Sequence, residues 1–351
     1  MKILSSLEIK AIVDELQVFV DARVDKIYQP DNSEIILTVH KTGVGRKHIR
    51  IVPGVGLYVA KKKRMSPNII INFCRFLRKR IGGNRIRKII QKDFERIVEI
   101  HFEGKENKFI MVCEFFSKGN VILCDENFTI ISALQVQLWK DRKIKARVEY
   151  QYPPSRPINF NDFEEFALYI EKSDKKDIVR KLATLNLGGM FAEEVCFRAN
   201  VDKNKEDADA RDLKKLFVKL NEVLSEKISA NIVKDEAVPF EMKSLGEGEK
   251  YESFSEALDV YYVPFIDDLD EGEDVERLTK VDKQKIILEE QGKQLVEFEK
   301  ELVEGRKIGD WIYENYVLIQ ELFDLYKEKK YKEIFEKGYV IKDQKIEIKD
   351  V

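Results

Sequence analysis

Apolar and polar positions along this chain follow two rhythms. The first is helical. In "SSLEIKAIVDELQVFV", Ile9, Ile12, Val13, Leu16 and Phe19 fall on one face of a 3.6-residue repeat. Ser5 and Glu8 have the S-x-x-E spacing of a capping box, which marks the helix start. The rhythm then turns strand-like. "RVDKIYQ", "EIILTVH", "KHIRIV" and "GLYVA" are short, rich in β-branched and aromatic residues, and divided by Pro, Asn, Asp and Gly. They predict an antiparallel meander. A second helix interrupts it at "SPNIIINFCRFLRKRI", with Ser66 as N-cap and Pro67 at the first helical position. Ile70, Phe73, Leu77 and Ile81 make its apolar stripe, and Arg75, Arg78 and Lys79 share the other side. Gly82-Gly83 ends it. Strands resume with "RIRKIIQ", "ERIVEIHF", "KFIMVCEFF", "NVILCD" and "TIISALQ", with Lys118-Gly119-Asn120 as a hairpin connection. Residues 1–158 therefore read as one α+β domain, mostly antiparallel.

"YQYPPSRPINF" carries three prolines and reads as a domain edge. Residues 159–265 read as a second, helical domain. In "DIVRKLATLNLGGMFAEEVCFRAN", Gly188-Gly189 separates two short amphipathic segments, as in a helix-hairpin-helix or in an ordinary pair of antiparallel helices. "VPFEMKSL" and "ALDVYYVPF" could form a returning pair of strands. Residues 266–277 hold an acidic run that reads as a solvated linker. From 278 to 340 the pattern is helical again. Val281, Leu288, Leu295 and Leu302 recur every seven residues, a coiled-coil seam that allows self-association. The tail, 341–351, alternates like a strand but has no visible partner.

Composition changes this picture in one place. The chain has 62 basic and 64 acidic residues, a formal charge of −2. Yet Ala60–Lys92 contains twelve Lys and Arg and no acid. Phosphate backbones are bound by such clusters, through counterion release and the forked geometry of Arg. A solvated face normally mixes signs, so the run points to nucleic acid, with a plain charged helix face as the alternative. Four cysteines without a CxxC pair and three scattered histidines assemble no metal site, and the cysteines read as reduced, buried thiols. "MKILSSLEIK" is no signal peptide, and no apolar run is long enough to span a membrane. A cytoplasmic location follows as the expectation. Phosphate-loop, dinucleotide-turn, zinc-protease, hydrolase-elbow and kinase motifs are all missing, and "GVGRK" at Gly43 reads as a hairpin tip. Nothing points to catalysis or to a cofactor.

The segments "SSLEIKAIVDEL", "FCRFLRKRIGGNRIRKI", "FERIVEIHF" and "EFFSKGNVILCDENFTII" together resemble the NFACT family. The resemblance covers most of the chain. It implies an N-terminal fold like that of formamidopyrimidine-DNA glycosylases, followed by a helix-hairpin-helix domain and a coiled coil. It does not imply glycosylase chemistry. That lineage needs Pro and Glu directly after the initiator Met, where this chain has Lys2 and Ile3. The family continues into a complete antiparallel coiled coil and a further RNA-binding domain, so this chain reads as an N-terminal portion or a shortened member.

The resemblance implies ribosome-associated quality control. The partners would be tRNA and the rRNA of large subunits blocked by peptidyl-tRNA, with tRNA recruited for alanine tailing and no catalytic residue needed. The family's tRNA-linked acids fall on Glu8 and on the Glu95-Arg96 pair, both Glu here where the family has Asp. Glu8 serves equally well as the capping-box acid. The expected RNA-binding set is therefore Glu8, Arg75, Arg78, Lys79, Arg80, Arg85, Glu95 and Arg96, with Gly188 and Gly189 at the helical turn. A DNA-binding relative of the glycosylases and a coiled-coil adaptor or fibronectin-binding adhesin are the alternatives.

Overall fold

A computed structural model describes residues 2–64, 70–139, 142–154, 159–266, 302, 305–328, 330–342 and 345–347. It divides into two units, Met1–Glu273 and Asp274–Val351.

The first unit opens with helix α1, Ser6–Leu16, closed by the capping box the sequence predicts: Ser5 accepts from the Glu8 N–H, and Glu8 accepts from the Ser5 N–H. Four strands follow, β1 (Arg23–Tyr28), β2 (Ile35–Lys41), β3 (Gly45–Val52) and β4 (Gly56–Ala60), each antiparallel to the last. Gly43 and Gly45 take positive φ at the β2–β3 tip, as expected of a hairpin connection. Helix α2, Asn72–Ile81, then leads to β5 (Arg85–Gln91), β6 (Ile97–Glu103), β7 (Lys108–Glu114), β8 (Asn120–Asp125) and β9 (Ile130–Ala133). All nine strands form one sheet in the order β4-β3-β2-β1-β5-β6-β7-β8-β9. Its two leaves join through a single opposed pair, Arg23 and Arg85. A small hairpin, β10 (Gln137–Leu138) and β11 (Lys143–Ile144), follows.

β7 reads as an unbroken apolar run because both its faces are covered. Phe109, Met111 and Cys113 join the core under α1, while Ile110 and Val112 join a second cluster with Ile122, Ile130 and Tyr150. The four cysteines are buried free thiols.

Helix α2 starts later than its spacing predicts. Ser66 and Pro67 lie outside the described residues, Ile71 holds an extended conformation at the N-cap position, and Ile70 is exposed before the helix rather than part of its stripe. The β-branched run Ile70-Ile71 disfavours the helix start there. Phe73, Cys74, Leu77 and Ile81 are its buried face. Burial of that kind is worth roughly 1.5–3 kcal/mol for each large apolar side chain.

The helical part comprises α3 (Phe163–Lys172), α4 (Ile178–Leu182), α5 (Gly189–Ala199) and α6 (Ala210–Leu224) around Phe166, Leu182, Phe191, Leu216 and Leu220. Leu7 of α1 belongs to this cluster too, so α1 is shared by both cores. Strands β12 (Asn231–Val233), β13 (Glu236–Val238) and β14 (Glu249–Lys250) make a small sheet.

"ALDVYYVPF" is not a strand. Phe254–Tyr262 is helix α7, capped by Ser253 on the Glu256 N–H. Phe254, Ala257, Leu258 and Tyr262 are spaced for one helical face, and they return to the core of the large sheet. There α7 covers the β4 edge: Ser255 Oγ accepts from the Val59 N–H, and Asp259 accepts from the Lys61 N–H.

In the second unit, Val281, Leu288 and Leu295 of the proposed seam lie outside the described residues, and Leu302 is exposed. Residues 305–314 are helical, followed by helices Tyr316–Lys327 and Tyr331–Glu336. The tail finds its partner within itself: Val340–Lys342 pairs antiparallel with Lys345–Glu347.

Candidate nucleic-acid interface

The predicted site residues fall into two groups. The first surrounds α2. Where the two leaves part, the free side of β1 is covered by α2: Arg78 Nε donates to the Ile27 carbonyl at 2.7 Å, and Cys74 Sγ lies 3.5 Å from the same oxygen. Arg78 therefore satisfies an edge acceptor and is fixed by doing so. Its guanidinium also lies 5.8 Å from the Tyr28 ring centroid, which takes the Lys63 ammonium at 4.9 Å.

A groove of about 870 Å³ opens there, lined by β1, Arg46, Arg78 and the Gly82-Gly83 turn. Gly83 has φ +82°, and a Cβ on it would meet the Arg23 guanidinium at 3.4 Å. The Arg23 guanidinium thus lies over the turn. Directly opposite Arg23 on the neighbouring strand is Arg85, whose guanidinium donates to the Asp21 carbonyl. Both arginines are exposed, and neither has an ion pair among the described residues. Like charges opposed across a strand pair repel unless an anion sits between them.

Two bulges add exposed charge to this surface, including the acid Asp25, which pairs with Arg46 at 2.7 Å. Register shifts fall between Val24 and Lys26 in β1 and between Ile86 and Lys88 in β5. Each lets two successive charged residues face solvent, Asp25 with Lys26 and Arg87 with Lys88.

The acid-free run is thereby sorted. Lys61 pairs with Glu256, Arg64 with Asp31 and Glu34, Arg87 with Asp21 and Glu103, and Lys92 with Asp93. Arg75, Arg78, Lys79, Arg80, Arg85 and Lys88 make no ion pair with a described carboxylate. The unpaired cations lie on α2 and the first half of β5, with the neutralised Arg87 among them. Sequence reasoning missed Arg23, Lys26 and Arg46, which reach the groove from β1 and β3. Their alternation with apolar residues in "RVDKIY" was visible, but their nearness to α2 is a tertiary fact.

The second group lies at the far end of β5. At about 3.3 Å per residue, seven residues separate it from Arg85 by roughly 20 Å. Asp93 and Phe94 both take positive φ in the β5–β6 turn, closed by the Glu95 N–H on the Lys92 carbonyl at 2.7 Å. Phe94 holds this strained turn by packing edge-on against Phe160, 5.1 Å between centroids. Glu95 and Arg96 follow in the turn, before β6 begins. Arg96 is half-buried and has no ion pair among the described residues; burial pushes its guanidinium below its ordinary value, with Glu95 opposing.

The Gln91 side chain ties this turn to α1, donating to the carbonyls of Ser6 and Glu95 at 2.8 and 2.9 Å. Gly188, at φ +77° between the widened turn Ala183–Leu187 and α5, abuts Ser5. Gly189 begins α5 and is exposed. Glu8 is drawn inward. It is 1% exposed, holds the capping box, and pairs with Lys2 Nζ at 2.7 Å. Lys2 also reaches Glu236 and the Ala237 carbonyl. Burial lowers the Lys2 ammonium, but its carboxylate partners outweigh that and raise it.

No cluster of three or more metal-ligating side chains occurs among the described residues, and no described helix is long and apolar enough to cross a membrane.

The family model for the NFACT N-terminal and middle domains matches residues 5–349. The archaeal Rqc2 homolog aRqcH of Methanocaldococcus jannaschii is 30% identical over 344 residues, 92% of this chain and 51% of that protein. The ribosome quality control complex subunit NEMF of Homo sapiens is 23% identical over 231 residues, 62% of this chain and 21% of that protein. The chain thus spans about half the length of the archaeal relative and about a fifth of the human one. Among solved structures, the N-terminal part of the fibronectin/fibrinogen-binding protein from Streptococcus suis superposes with a TM-score of 0.62 at 20% identity, covering 74% of this chain and 98% of that one. The fibrinogen binding protein from Staphylococcus aureus gives 0.61 at 22%, with the same coverage. These two likenesses are of fold.

Proposed function

This chain belongs to the NFACT family, and from that premise we propose that its first unit is an RNA-binding face acting in ribosome quality control, as the names of its archaeal and animal relatives suggest. The groove between β1 and α2 holds the phosphate backbone. The observation that carries this reading is the opposed Arg23–Arg85 pair, exposed and without an ion pair among the described residues although Glu103 opposes Arg85 on β6, with Lys26 and Arg78 lining the same groove and Lys79 and Arg80 next along α2. A phosphate between two opposed guanidiniums removes their repulsion and accepts forked hydrogen bonds from both.

On this reading tRNA lies along the sheet, from the groove toward Glu95-Arg96, where a half-buried guanidinium without an ion pair suits a second phosphate or a base edge. Glu8 acts from beneath, by fixing the start of α1 against that turn. The exposed N-terminus of α5 at Gly189 suits a phosphate in helix-hairpin-helix fashion. The second unit, as a coiled coil, would be the arm that docks the first on the large subunit, and alanine tailing would use the ribosome's own peptidyl-transferase centre.

Co-sedimentation tests the reading. The chain is expected to pellet with large subunits carrying peptidyl-tRNA, and Lys79→Glu/Arg80→Glu to remain in the supernatant with an unchanged melting curve. Arg78 is avoided in this test because it also serves the fold. Equal pelleting of both proteins, or preferential capture of duplex DNA over tRNA, would refute the assignment.

A further inference from the structure

A row of four basic residues crosses the sheet at the groove. Arg85 on β5 opposes Arg23 on β1, Arg23 opposes His40 on β2, and His40 opposes Arg46 on β3. Residues opposed in this way share one face of a sheet, and neighbouring strands lie about 4.8 Å apart, so the row is about 14 Å long. All four side chains are exposed, and Arg23, His40 and Arg46 line the groove. His40 is the one member of the row without a permanent charge.

The chain has three histidines, and the other two are engaged. His48 Nδ1 lies 2.9 Å from Thr38 Oγ1, and His101 Nε2 lies 2.9 Å from the Glu99 carboxylate. His40 makes no hydrogen bond or ion pair among the described residues. The charged groups around it are mostly positive. β1 presents Arg23, Asp25 and Lys26, β3 presents Arg46, α2 presents Arg78, and Arg85 stands one strand further on. Asp25 is the one acid among the lining residues, and it pairs with Arg46 at 2.7 Å. On the strand of His40 itself, the next residue, Lys41, donates to the Val18 carbonyl. Lys47 opposes Val39 and so lies on the other face of the sheet.

We propose that His40 is a proton-gated phosphate contact: the groove takes up a proton at His40 as it takes up RNA, and holds RNA more tightly as pH falls. The inference rests on the RNA-binding reading above. Histidine is the side chain whose charge ordinarily changes between pH 5 and 8. In the empty groove a proton on His40 sits between two guanidiniums and adds repulsion to the row. A phosphate over the row reverses the sign of that interaction. The imidazolium donates through its ring nitrogens, and the anionic oxygens accept. Binding and protonation therefore favour each other, and by linkage each strengthens the other by the same factor. The protonated form binds more tightly, so affinity is gained as pH falls and lost as pH rises.

The test is anisotropy of end-labelled oligouridine, whose bases hold their protonation state across this range, with the full chain at fixed ionic strength, at about pH 5.5 and about pH 8. The wild type should bind about fivefold more tightly at the lower pH, the worth of one exposed charge pair at contact distance in water. Its log–log salt slope should steepen there by up to about 0.7. His40→Gln should bind alike at both pH values, and His40→Arg should bind at the higher pH as the wild type does at the lower. Calorimetry in two buffers of different ionisation enthalpy should show proton uptake on RNA binding by the wild type and its loss in His40→Gln. RNA binding that is independent of pH in the wild type, or whose pH dependence and proton uptake survive in His40→Gln, overturns the proton gate and leaves the groove reading standing. No RNA binding at either pH overturns both.

Discussion

Replacing Arg23 with Glu should push stability and RNA binding in opposite directions. The substitution sets a carboxylate directly opposite Arg85. A repulsive cross-strand pair becomes an attractive one, worth about 0.2–1 kcal/mol relative to neutral residues, with the lost repulsion added. Arg23 is exposed and its side chain lies over Gly83, so no buried contact is lost. The melting temperature should therefore hold or rise. Binding should fall because Arg23 is gone and Arg85 is neutralised. If Arg23 and Arg85 share one phosphate of a single strand and Lys26, Arg78, Lys79 and Arg80 each meet one more, the log–log salt slope is about −3.5, and the variant's about −2.8. Between 50 and 200 mM salt the wild type would lose about 130-fold in affinity and the variant about 50-fold. Anisotropy with labelled RNA over a salt series, alongside thermal melts, measures both effects. A variant that melts lower, or one that keeps the wild-type slope, would refute the idea that these two arginines await a phosphate.

Three further outcomes test the scaffold. Glu34 and Arg50 are a buried ion pair, 1% and 4% exposed, so Glu34→Ala should cost about 3–5 kcal/mol in urea unfolding by stranding the guanidinium. Gly43→Ala and Gly119→Ala both place a side chain at positive φ, but only Gly119 meets backbone; urea midpoints should show about 1–2 kcal/mol for the first and distinctly more for the second. Burial favours the neutral form of Glu194, yet hydrogen bonds from Ser244, Arg198 and Lys243 hold its carboxyl below its ordinary 4.5. Its folded value is the lower one, so its contribution is present above pH 4.5 and lost as pH falls through the depressed value. Melting temperatures followed downward from about pH 6 should accordingly fall less steeply for Glu194→Gln below pH 4.5.

The strands and the first helix were legible because their periods are clean and their boundaries carry Gly, Pro or a capping box. α7 was misread because "ALDVYYVPF" is dense in β-branched and aromatic residues, and its helical face appears only when Phe254 and the Ser253 cap are counted with it. The acid-free run was legible as charge but not as geometry. Acids distant in sequence, Asp21, Asp31, Glu103 and Glu256, neutralise part of it, and cations on other strands, Arg23 and Lys26, extend it. The roughly 20 Å between the groove and Glu95-Arg96 follows from the length of β5. The capping-box role of Glu8 was legible from its spacing, whereas its burial against Lys2 was not, because Lys2 lies outside the helical repeat.

The central claim is that the β1–α2 groove holds RNA of the ribosomal complex. Crosslinking in cells, with sequencing of the bound RNA and mapping of the crosslinked peptides, tests it most directly. The account predicts tRNA and large-subunit rRNA joined to peptides from β1 and α2, and their loss in Lys79→Glu/Arg80→Glu. Crosslinks unchanged by that variant, or confined to other surfaces, would contradict it.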